Sequence, residues 1–245
     1  MLRTGVNALY SGPEYCQGMS ASPPQPLPTT AYAILGMLAL RPWSAYELTQ
    51  QARRSLTYCW PTAESVLYDE PKRLVRLGLA TAKRAAAGRR TRTVYTITEQ
   101  GRRVLGQWLA TPPGPPHLEI EAMLRLLYAD QASTQDLLDA VQATRTWALA
   151  QAPVGLAQIR GYLTDGGPFP ERLHLNALFA RFHLDLFELL IRWADLAEDQ
   201  IGAWPRTTGL GMTEPTRALL DDMLTRLEAL TARATGQPTP GPEVT

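Results

Sequence analysis

The chain has 245 residues, of which 45% are hydrophobic, so it is long enough to bury one large core or two small ones. Its longest apolar run, residues 31–40, is shorter than the roughly 20 residues that a membrane span requires. The first residues lack the pattern of a secretory signal, and two cysteines, Cys16 and Cys59, argue against a disulfide framework. We therefore expect a folded cytoplasmic protein with free thiols and no membrane partner.

The formal charge of +1 conceals two halves of opposite sign, which the proline-rich segment 112–116 separates. Residues 29–111 contain 13 basic and five acidic residues, a formal charge of +8, whereas residues 112–245 carry −7. A basic half attracts a polyanion, and an acidic half avoids one. The expected organisation has five parts: a flexible tail at 1–28, a basic domain at 29–111, a linker at 112–117, an acidic domain at 118–234 and a second tail at 235–245.

The basic domain opens with two predicted helices. The first, at 30–40, is apolar on nearly every side, as a helix at the centre of a small domain must be, and Pro42 ends it. Ser44 and Glu47 have the spacing of a capping box, which predicts the start of a second helix. Its apolar positions recur every three to four residues as far as about Leu56.

A third helix and a hairpin follow. Thr62 is predicted to cap the third helix, which ends near Leu77 with Gly78 in the left-handed position that closes a helix. Two extended segments around a glycine-containing turn, at 79–85 and 91–98, then predict a β-hairpin of uncertain register. Thr98, the last residue of the second segment, is predicted to cap a fourth helix.

Beyond the linker the hydrophobic periodicity is helical throughout. Ser133 and Asp136 form a second capping box, and Pro153 is expected to bend or break the helix that they open. The strongest amphipathic helix spans about 172–203, and Pro215 starts a last helix. The acidic domain is therefore predicted to be all-helical.

Three helices followed by a basic hairpin define a winged helix-turn-helix, which lays the third helix in the DNA major groove. The fold class is thus mainly α, with a three-helix core and a two-stranded wing before the all-helical domain. The third helix places Glu64, Tyr68 and Lys72 on one face, where they can hydrogen-bond base edges or phosphates, although Tyr68 fits a core position equally well. The wing has cationic side chains that suit a narrow, electronegative minor groove: Lys83, Arg84, Arg89, Arg90 and Arg92.

Five segments of the basic domain, in this order, resemble the amino-terminal domain of the PadR family. They are 34–38 (ILGML), 44–48 (SAYEL), 65–68 (SVLY) with 72–74 (KRL), 78–79 (GL) and 95–101 (YTITEQG), within a match of roughly 30–110. The resemblance implies a bacterial homodimeric repressor whose carboxy-terminal helices interlock and which often responds to a small aromatic or amphiphilic effector. It also implies DNA contacts by the serine and tyrosine of the third helix, by Lys72 and by the wing tip.

The complete set of predicted DNA-contacting residues adds further positions near the capping box, in the third helix and in the wing. It consists of Ser44, Tyr46, Thr62, Glu64, Ser65, Tyr68, Lys72, Arg73, Lys83, Arg84, Arg89, Arg90 and Arg92. Pro71 departs from the family, which usually has leucine at this position inside the recognition helix. Because proline lacks the amide that would bond Leu67, the helix is expected to kink or split there, which leaves the directions of Lys72 and Arg73 open.

The apolar stripe of the 172–203 helix fits either an intramolecular core or a dimer seam. A helix of about eight turns exceeds the reach of a small domain, so a partner helix is expected to cover it. The predicted dimer interface consists of Leu175, Leu178, Phe179, Phe182, Leu186, Leu189, Leu190 and Trp193. A flat effector pocket between subunits is the weaker hypothesis, since core packing explains the same aromatic residues, namely Trp108, Trp147, Phe182 and Trp193.

Enzymatic chemistry finds no support in the sequence. The three histidines form no two-histidine metal motif, and no glycine-rich phosphate loop follows a strand, so we expect no catalytic residues, cofactor or metal. The sequence predicts a sequence-specific DNA-binding regulator, a homodimer on an inverted repeat with half-sites about 34–36 Å apart. The alternative is a winged-helix module that binds a protein or an effector without specific DNA binding, and the +8 charge argues against it.

Overall fold

The computed structural model describes residues 27–87 and 90–235, and for residues 86, 87 and 90 it describes the backbone alone. Its internal contacts divide into two units on either side of the bond between Pro115 and Pro116. The described part of the first unit combines helices with a small antiparallel sheet, whereas that of the second is helical.

The first unit contains four described helices: α1 (Thr29–Leu40), α2 (Ala45–Ser55), α3 (Glu64–Arg76) and α4 (Glu99–Leu109). α1 packs against α3 and α4, and α2 packs against α3. The core between them is aliphatic, and each of its buried side chains contributes about 1.5–3 kcal/mol to stability. Its largest members are Ile34, Leu35, Leu38, Leu48, Leu67 and Leu74.

Three predicted helix starts are confirmed by their hydrogen bonds. The backbone amide of Ser44 donates to Oε2 of Glu47 over 2.8 Å, and the amide of Glu47 donates to Oγ of Ser44 over 3.3 Å. Ser133 and Asp136 form the same reciprocal pair at the start of a later helix. The hydroxyl of Thr98 accepts an amide of the first turn of α4. Each cap satisfies amides that the helix itself leaves unpaired.

The predicted cap at Thr62 is wrong. α3 begins at Glu64 after Ala63, whose side chain cannot accept a hydrogen bond. The hydroxyl of Thr62 donates instead to the backbone carbonyl of Trp60 over 3.1 Å. It therefore closes the loop before α3.

The predicted end of the third helix at Gly78 is confirmed. Gly78 has a φ of 70°, the left-handed conformation that residues with a Cβ rarely adopt. Its amide donates to the carbonyl of Val75 over 3.0 Å, and the amide of Leu79 donates to the carbonyl of Leu74 over 2.9 Å. These bonds satisfy carbonyls at the helix end and turn the chain into the sheet.

The sheet has the order β1-β3-β2 and is antiparallel throughout. Its strands are β1 (Trp43–Ser44), β2 (Ala80–Ala87) and β3 (Arg90–Ile97). The predicted hairpin is confirmed as β2 and β3, whereas β1 was not predicted. Tyr95 lies between Ala82 and Trp43 in the register, and Tyr95, Ile97 and Trp43 are all buried. The sheet therefore packs one face on the helical core.

The described helices of the second unit are α5 (Glu121–Leu127), α6 (Thr134–Ala150), α7 (Ala152–Asp165), α8 (Leu173–Gly202) and α9 (Glu214–Thr235). The predicted break near Pro153 is confirmed, because α6 ends and α7 begins on either side of Gln151. α6 packs along α8. Their core consists of Ala129, Leu137, Val141, Ala194, Ala197 and Ile201.

A charged contact adds to this helix pair. Arg145 of α6 donates to Asp195 of α8 over 3.1 Å and also to Glu198, one turn further along α8. Across both described stretches of the chain, we find no helix with the length and hydropathy that a membrane crossing needs.

Candidate nucleic-acid interface

α3 has two chemically distinct faces. Its inward face is buried in the core and carries Leu67, Glu70, Pro71 and Leu74. On the opposite side, four positions at helical spacing are all exposed: Ser65, Asp69, Lys72 and Arg76. We call these four residues the outer stripe. A hydroxyl, a carboxylate and two cations are groups that bind base edges and phosphates.

Pro71 does not split the recognition helix. α3 is continuous from Glu64 to Arg76, and the proline lies in its interior with its ring fully buried. The ring thus replaces the core side chain that an aliphatic residue would supply. The outer stripe therefore extends across the proline, from Ser65 before it to Arg76 after it.

Asp69 and Lys72 form an ion pair on the outer stripe, with 2.8 Å between Nζ of Lys72 and Oδ1 of Asp69. The hydrogen bond from Lys72, then its charge and the charge of Arg76, hold the pKa of Asp69 below its ordinary value. The same hydrogen bond raises the pKa of Lys72. Both groups are therefore ionised at neutral pH, and both face solvent.

Arg73 lies beside the outer stripe and binds Glu70. Its Nε donates to both carboxylate oxygens over 3.0 Å, and its Nη2 donates to Oε1 over 2.7 Å. These bonds raise the pKa of Arg73. Glu70 is only 8% exposed, so the arginine neutralises a nearly buried carboxylate. The guanidinium that was predicted to contact DNA is engaged within its own helix.

Glu64, at the first position of α3, is paired from another helix. Its carboxylate forms an ion pair with Arg53 near the end of α2. Both side chains are about half exposed. This pair joins the start of the recognition helix to α2, and sequence reasoning did not include Arg53 among the site residues.

Ser44 and Tyr46 have different surroundings although they are two residues apart. The Ser44 side chain is buried, and its hydroxyl is used by the capping box with Glu47. Tyr46 is exposed. The structure therefore gives Ser44 a role in forming α2 and leaves Tyr46 as the member of this pair with a free surface. Tyr68 is half-buried, so its two interpretations both stand.

The wing presents Lys83 and Arg84 on exposed positions of β2. Arg92 on β3 donates to Glu47 over 3.3 Å, so the wing is connected to the first turn of α2. Hydrogen bonds from Ser44 and the charge of Arg92 hold the pKa of Glu47 below its ordinary value. Arg89 and the side chain of Arg90 lie outside the described residues.

Arg76, like Asp69, is an outer-stripe residue that is absent from the predicted DNA-contacting set. It is exposed, and it follows Lys72 by one helical turn. The helical spacing of positions 65, 69, 72 and 76 can be read from the sequence. The prediction instead used the neighbouring face of the helix, which runs through Glu64, Tyr68 and Lys72.

The predicted dimer residues divide into two groups. Leu175, Leu178, Phe179, Phe182 and Leu189 are exposed on α8, and Leu186 is partly buried. Leu190 is 7% exposed and Trp193 packs against the core that α6 and α8 share, so both belong to the interior of their own unit. The exposed group and Leu186 are therefore the residues with surface available for a dimer seam, which stays a prediction.

Two of the four aromatic residues of the predicted effector pocket, Trp147 and Phe182, belong to one aromatic cluster, because Trp147 contacts Phe187, Phe187 stacks on His183 and His183 contacts Phe182. Trp108 stacks on Tyr32 with 4.7 Å between ring centroids, and both side chains are half-buried. Trp147 contacts the edge of Phe187, and Trp193 packs on the α6–α8 core. Two surface cavities, one beside Trp60 and one beside Tyr128, have linings that include none of the four. Within residues 27–87 and 90–235 we also find no group of three or more metal-ligating side chains.

Comparisons with known proteins place this geometry in context. Residues 34–107 match the model of the transcriptional regulator PadR-like family. The negative transcriptional regulator PadR of Bacillus subtilis is 31% identical over 110 residues, which cover 44% of this chain and 60% of that protein. The aligned segment thus spans less than two thirds of this relative.

Solved structures extend the similarity of fold beyond that segment. The crystal structure of Bacillus subtilis PadR in complex with operator DNA has a TM-score of 0.61 at 23% identity, and covers 71% of this chain and 99% of its own. The same protein in complex with p-coumaric acid has a TM-score of 0.53 at 22% identity, and covers 71% and 96%. The predicted winged-helix fold with an all-helical second part is confirmed. Over residues 34–107 the chain is therefore similar to the PadR-like family of transcriptional regulators.

Proposed function

We propose that this protein is a sequence-specific DNA-binding transcriptional regulator that acts as a homodimeric repressor. The observation that carries the proposal is the outer stripe of α3, which exposes Ser65, Lys72 and Arg76 from the helix that a winged helix-turn-helix lays in the major groove. The operator complex of the Bacillus subtilis relative supports the same use of the fold. We assign no catalytic role, in keeping with a family of regulators.

Electrostatics supports a polyanionic partner for the first unit. Residues 29–111 carry a formal charge of +8, and of the five acids in this range Glu47, Glu64, Asp69 and Glu70 each have a basic partner. Exposed cations on the wing, Lys83 and Arg84 among them, extend the surface beyond α3. Phosphate contacts from such cations supply affinity, whereas the helix in the groove supplies selectivity.

The proposed homodimer is supported by the exposed apolar residues of α8. Leu178, 73% exposed, and Phe182 lie one turn apart on a helix of 30 residues, and large contiguous apolar surfaces of this kind mark interaction sites. A dimer would place two copies of α3 about 34–36 Å apart, which calls for an inverted-repeat operator. Leu178→Asp is expected to give monomers in light scattering with the helical content unchanged. A wild-type monomer at micromolar concentration would contradict the dimer.

Relief of repression by a small planar effector is the second part of the proposal. The p-coumaric acid complex of the Bacillus subtilis relative supports an effector of this class, and Trp147 and Phe182 offer partly exposed aromatic surface. Titration with aromatic acids should change tryptophan fluorescence and operator affinity over the same concentration range. Independent changes would refute the link. Such a regulator would act in the bacterial cytoplasm, at the nucleoid while it is bound to DNA.

The decisive experiment is a fluorescence-anisotropy titration with duplexes from the region upstream of the protein's own gene, at about 50 and 200 mM salt. Wild type is compared with Arg89→Ala/Arg90→Ala, the pair predicted to form the wing tip. The control, Arg160→Ala/Arg217→Ala, removes the same charge from exposed positions of the second unit. We expect tight, sequence-selective, salt-sensitive binding that only the wing variant weakens. Failure to bind any duplex would favour a protein-binding or effector-binding module.

A further inference from the structure

Asp69 occupies an unusual place for an acid on a helix that faces DNA. It lies in the middle of the outer stripe, between Ser65 on one side and Lys72 and Arg76 on the other, and its side chain is 74% exposed. A carboxylate repels the phosphates that border both grooves. An acid at this position therefore lowers affinity for DNA unless it finds a hydrogen-bond donor there.

The other two acids of α3 are directed away from the outer stripe. Glu70 is on the buried face and is bound by Arg73. Glu64 is at the first helical position, where Arg53 reaches it from α2. Asp69 is the acid of α3 that belongs to the outer stripe itself, and its partner Lys72 belongs to the same stripe.

The pair of Asp69 and Lys72 presents an acceptor and a donor side by side. Its Nζ to Oδ1 distance of 2.8 Å holds the second carboxylate oxygen beside the ammonium group. In the major groove, cytosine offers its N4 amino group to carboxylates, whereas guanine offers O6 and N7 to cations. Adenine presents an acceptor next to its amino group, and thymine presents an acceptor and a methyl group, so neither matches a carboxylate as well.

We propose that Asp69 is a specificity-determining residue, which accepts a hydrogen bond from the N4 amino group of one cytosine in each half-site. This inference rests on the proposed function and deepens it. Lys72 positions the carboxylate and contacts the neighbouring guanine or phosphate. Where a half-site lacks this cytosine, the Asp69 carboxylate loses its water without gaining a hydrogen bond, because it faces an acceptor or a phosphate. Asp69 therefore disfavours DNA that is bound through phosphate contacts alone.

The test is in vitro selection from a random duplex library with the full chain, followed by affinity measurements on the selected and a scrambled duplex. Wild type is compared with Asp69→Asn, Asp69→Glu and the control Glu99→Gln, which removes one charge from an exposed position of α4. Wild type is expected to select cytosine at one position of each half-site. Asp69→Asn is expected to shift that position to adenine, because an amide pairs with N6 and N7 of adenine.

The affinity ratio between selected and scrambled duplexes is expected to fall about tenfold for Asp69→Asn, the size of one base contact. Asp69→Glu should keep cytosine, and Glu99→Gln should raise affinity for both duplexes without changing the selected base. The same selected base and the same ratio in Asp69→Asn as in wild type would overturn the inference while leaving the regulator intact. If wild type selects no sequence at all, the proposed function itself fails. Circular dichroism of each variant measures whether the total helical content is that of wild type.

Discussion

Arg92 of β3 donates a hydrogen bond from Nη1 to Oε1 of Glu47 in α2 across 3.3 Å. The other oxygen of the same carboxylate accepts the backbone amide of Ser44 over 2.8 Å. One side chain therefore fixes both the start of α2 and a cation of the wing. A residue that was predicted to contact DNA is, in the free protein, part of the framework that positions the wing against the helices.

Replacing Glu47 with glutamine should lower the free energy of unfolding by about 1 kcal/mol at neutral pH, the usual size of a helix-cap effect. The hydrogen bonds from Ser44, and then the charge of Arg92, keep the pKa of Glu47 below its ordinary value. A lowered pKa means that the carboxylate stabilises the folded state above the ordinary glutamate pKa. The contribution disappears as the pH falls through the folded-state value. Urea unfolding from pH 7 to pH 3 measures this, and a constant difference between wild type and Glu47→Gln would contradict it.

Gly101 is required because neighbouring atoms leave no room for a Cβ, and not because of its backbone conformation. A Cβ at this position would overlap the carbonyl oxygen of Leu79 and press on the side chain of Ile97. Gly101→Ala should therefore destabilise the domain by about 1–3 kcal/mol, in spite of alanine's higher helix propensity. Gly106→Ala in the same helix is the matched control. A Cβ there would have nothing within 4 Å, so this variant should be more stable by about 0.5–1 kcal/mol. Thermal melts that rank the two variants in the opposite order would contradict the packing argument.

Much of the fold could be predicted from the sequence because its signals are local. Each capping box, at Ser44 and at Ser133, is recognised from two residues that are three positions apart in the sequence. The end of α3 is recognised from a single glycine, Gly78. Strand β1 could not be predicted, because two residues carry no alternation. The false cap at Thr62 is an error of one residue, since α3 begins after Ala63 and the Thr62 hydroxyl donates to the loop carbonyl of Trp60.

The site was less predictable than the fold because its charges are paired through tertiary contacts. Arg53 and Glu64 are 11 residues apart, and Arg92 and Glu47 are 45 apart, so no spacing rule connects them. A count of cations in the sequence therefore overstated how many are free to meet phosphates. The outer stripe, by contrast, is a helical repeat, and it becomes visible once the buried positions of α3 are known.

Pro71 is expected to lower the free energy of unfolding, and replacing it should restore part of that free energy. Proline inside a helix is about 3 kcal/mol less favourable than alanine, because it removes the hydrogen bond to the carbonyl of residue 67. Burial of the proline ring offsets part of this cost, by about 1–2 kcal/mol for the methylenes that alanine lacks. Pro71→Ala should therefore raise the unfolding free energy by about 1 kcal/mol and leave the selected DNA sequence unchanged. A lower Tm for Pro71→Ala would mean that the ring's packing outweighs the lost hydrogen bond.

Two arginines of α3, three residues apart, should respond to alanine substitution in opposite ways. Arg76 is exposed on the outer stripe, so Arg76→Ala should weaken binding to all duplexes alike and reduce the salt slope by about one, with little change in stability. Arg73 makes three hydrogen bonds to the nearly buried Glu70. Its loss leaves that carboxylate without compensation, so Arg73→Ala should cost about 1–3 kcal/mol of unfolding free energy.

Anisotropy titrations across a salt series and urea unfolding, performed on both variants, separate the two roles. Arg73→Ala, measured below its unfolding transition, should keep the wild-type salt slope because its guanidinium is committed to Glu70 before DNA arrives. A reduced slope for Arg73→Ala would mean that DNA competes successfully for this guanidinium. In that case Glu70 would be left uncompensated in the complex, and Glu70→Gln should then strengthen binding. If Arg73→Ala keeps the slope and loses stability, the recognition surface of α3 is the outer stripe and Arg73 belongs to the scaffold that carries it.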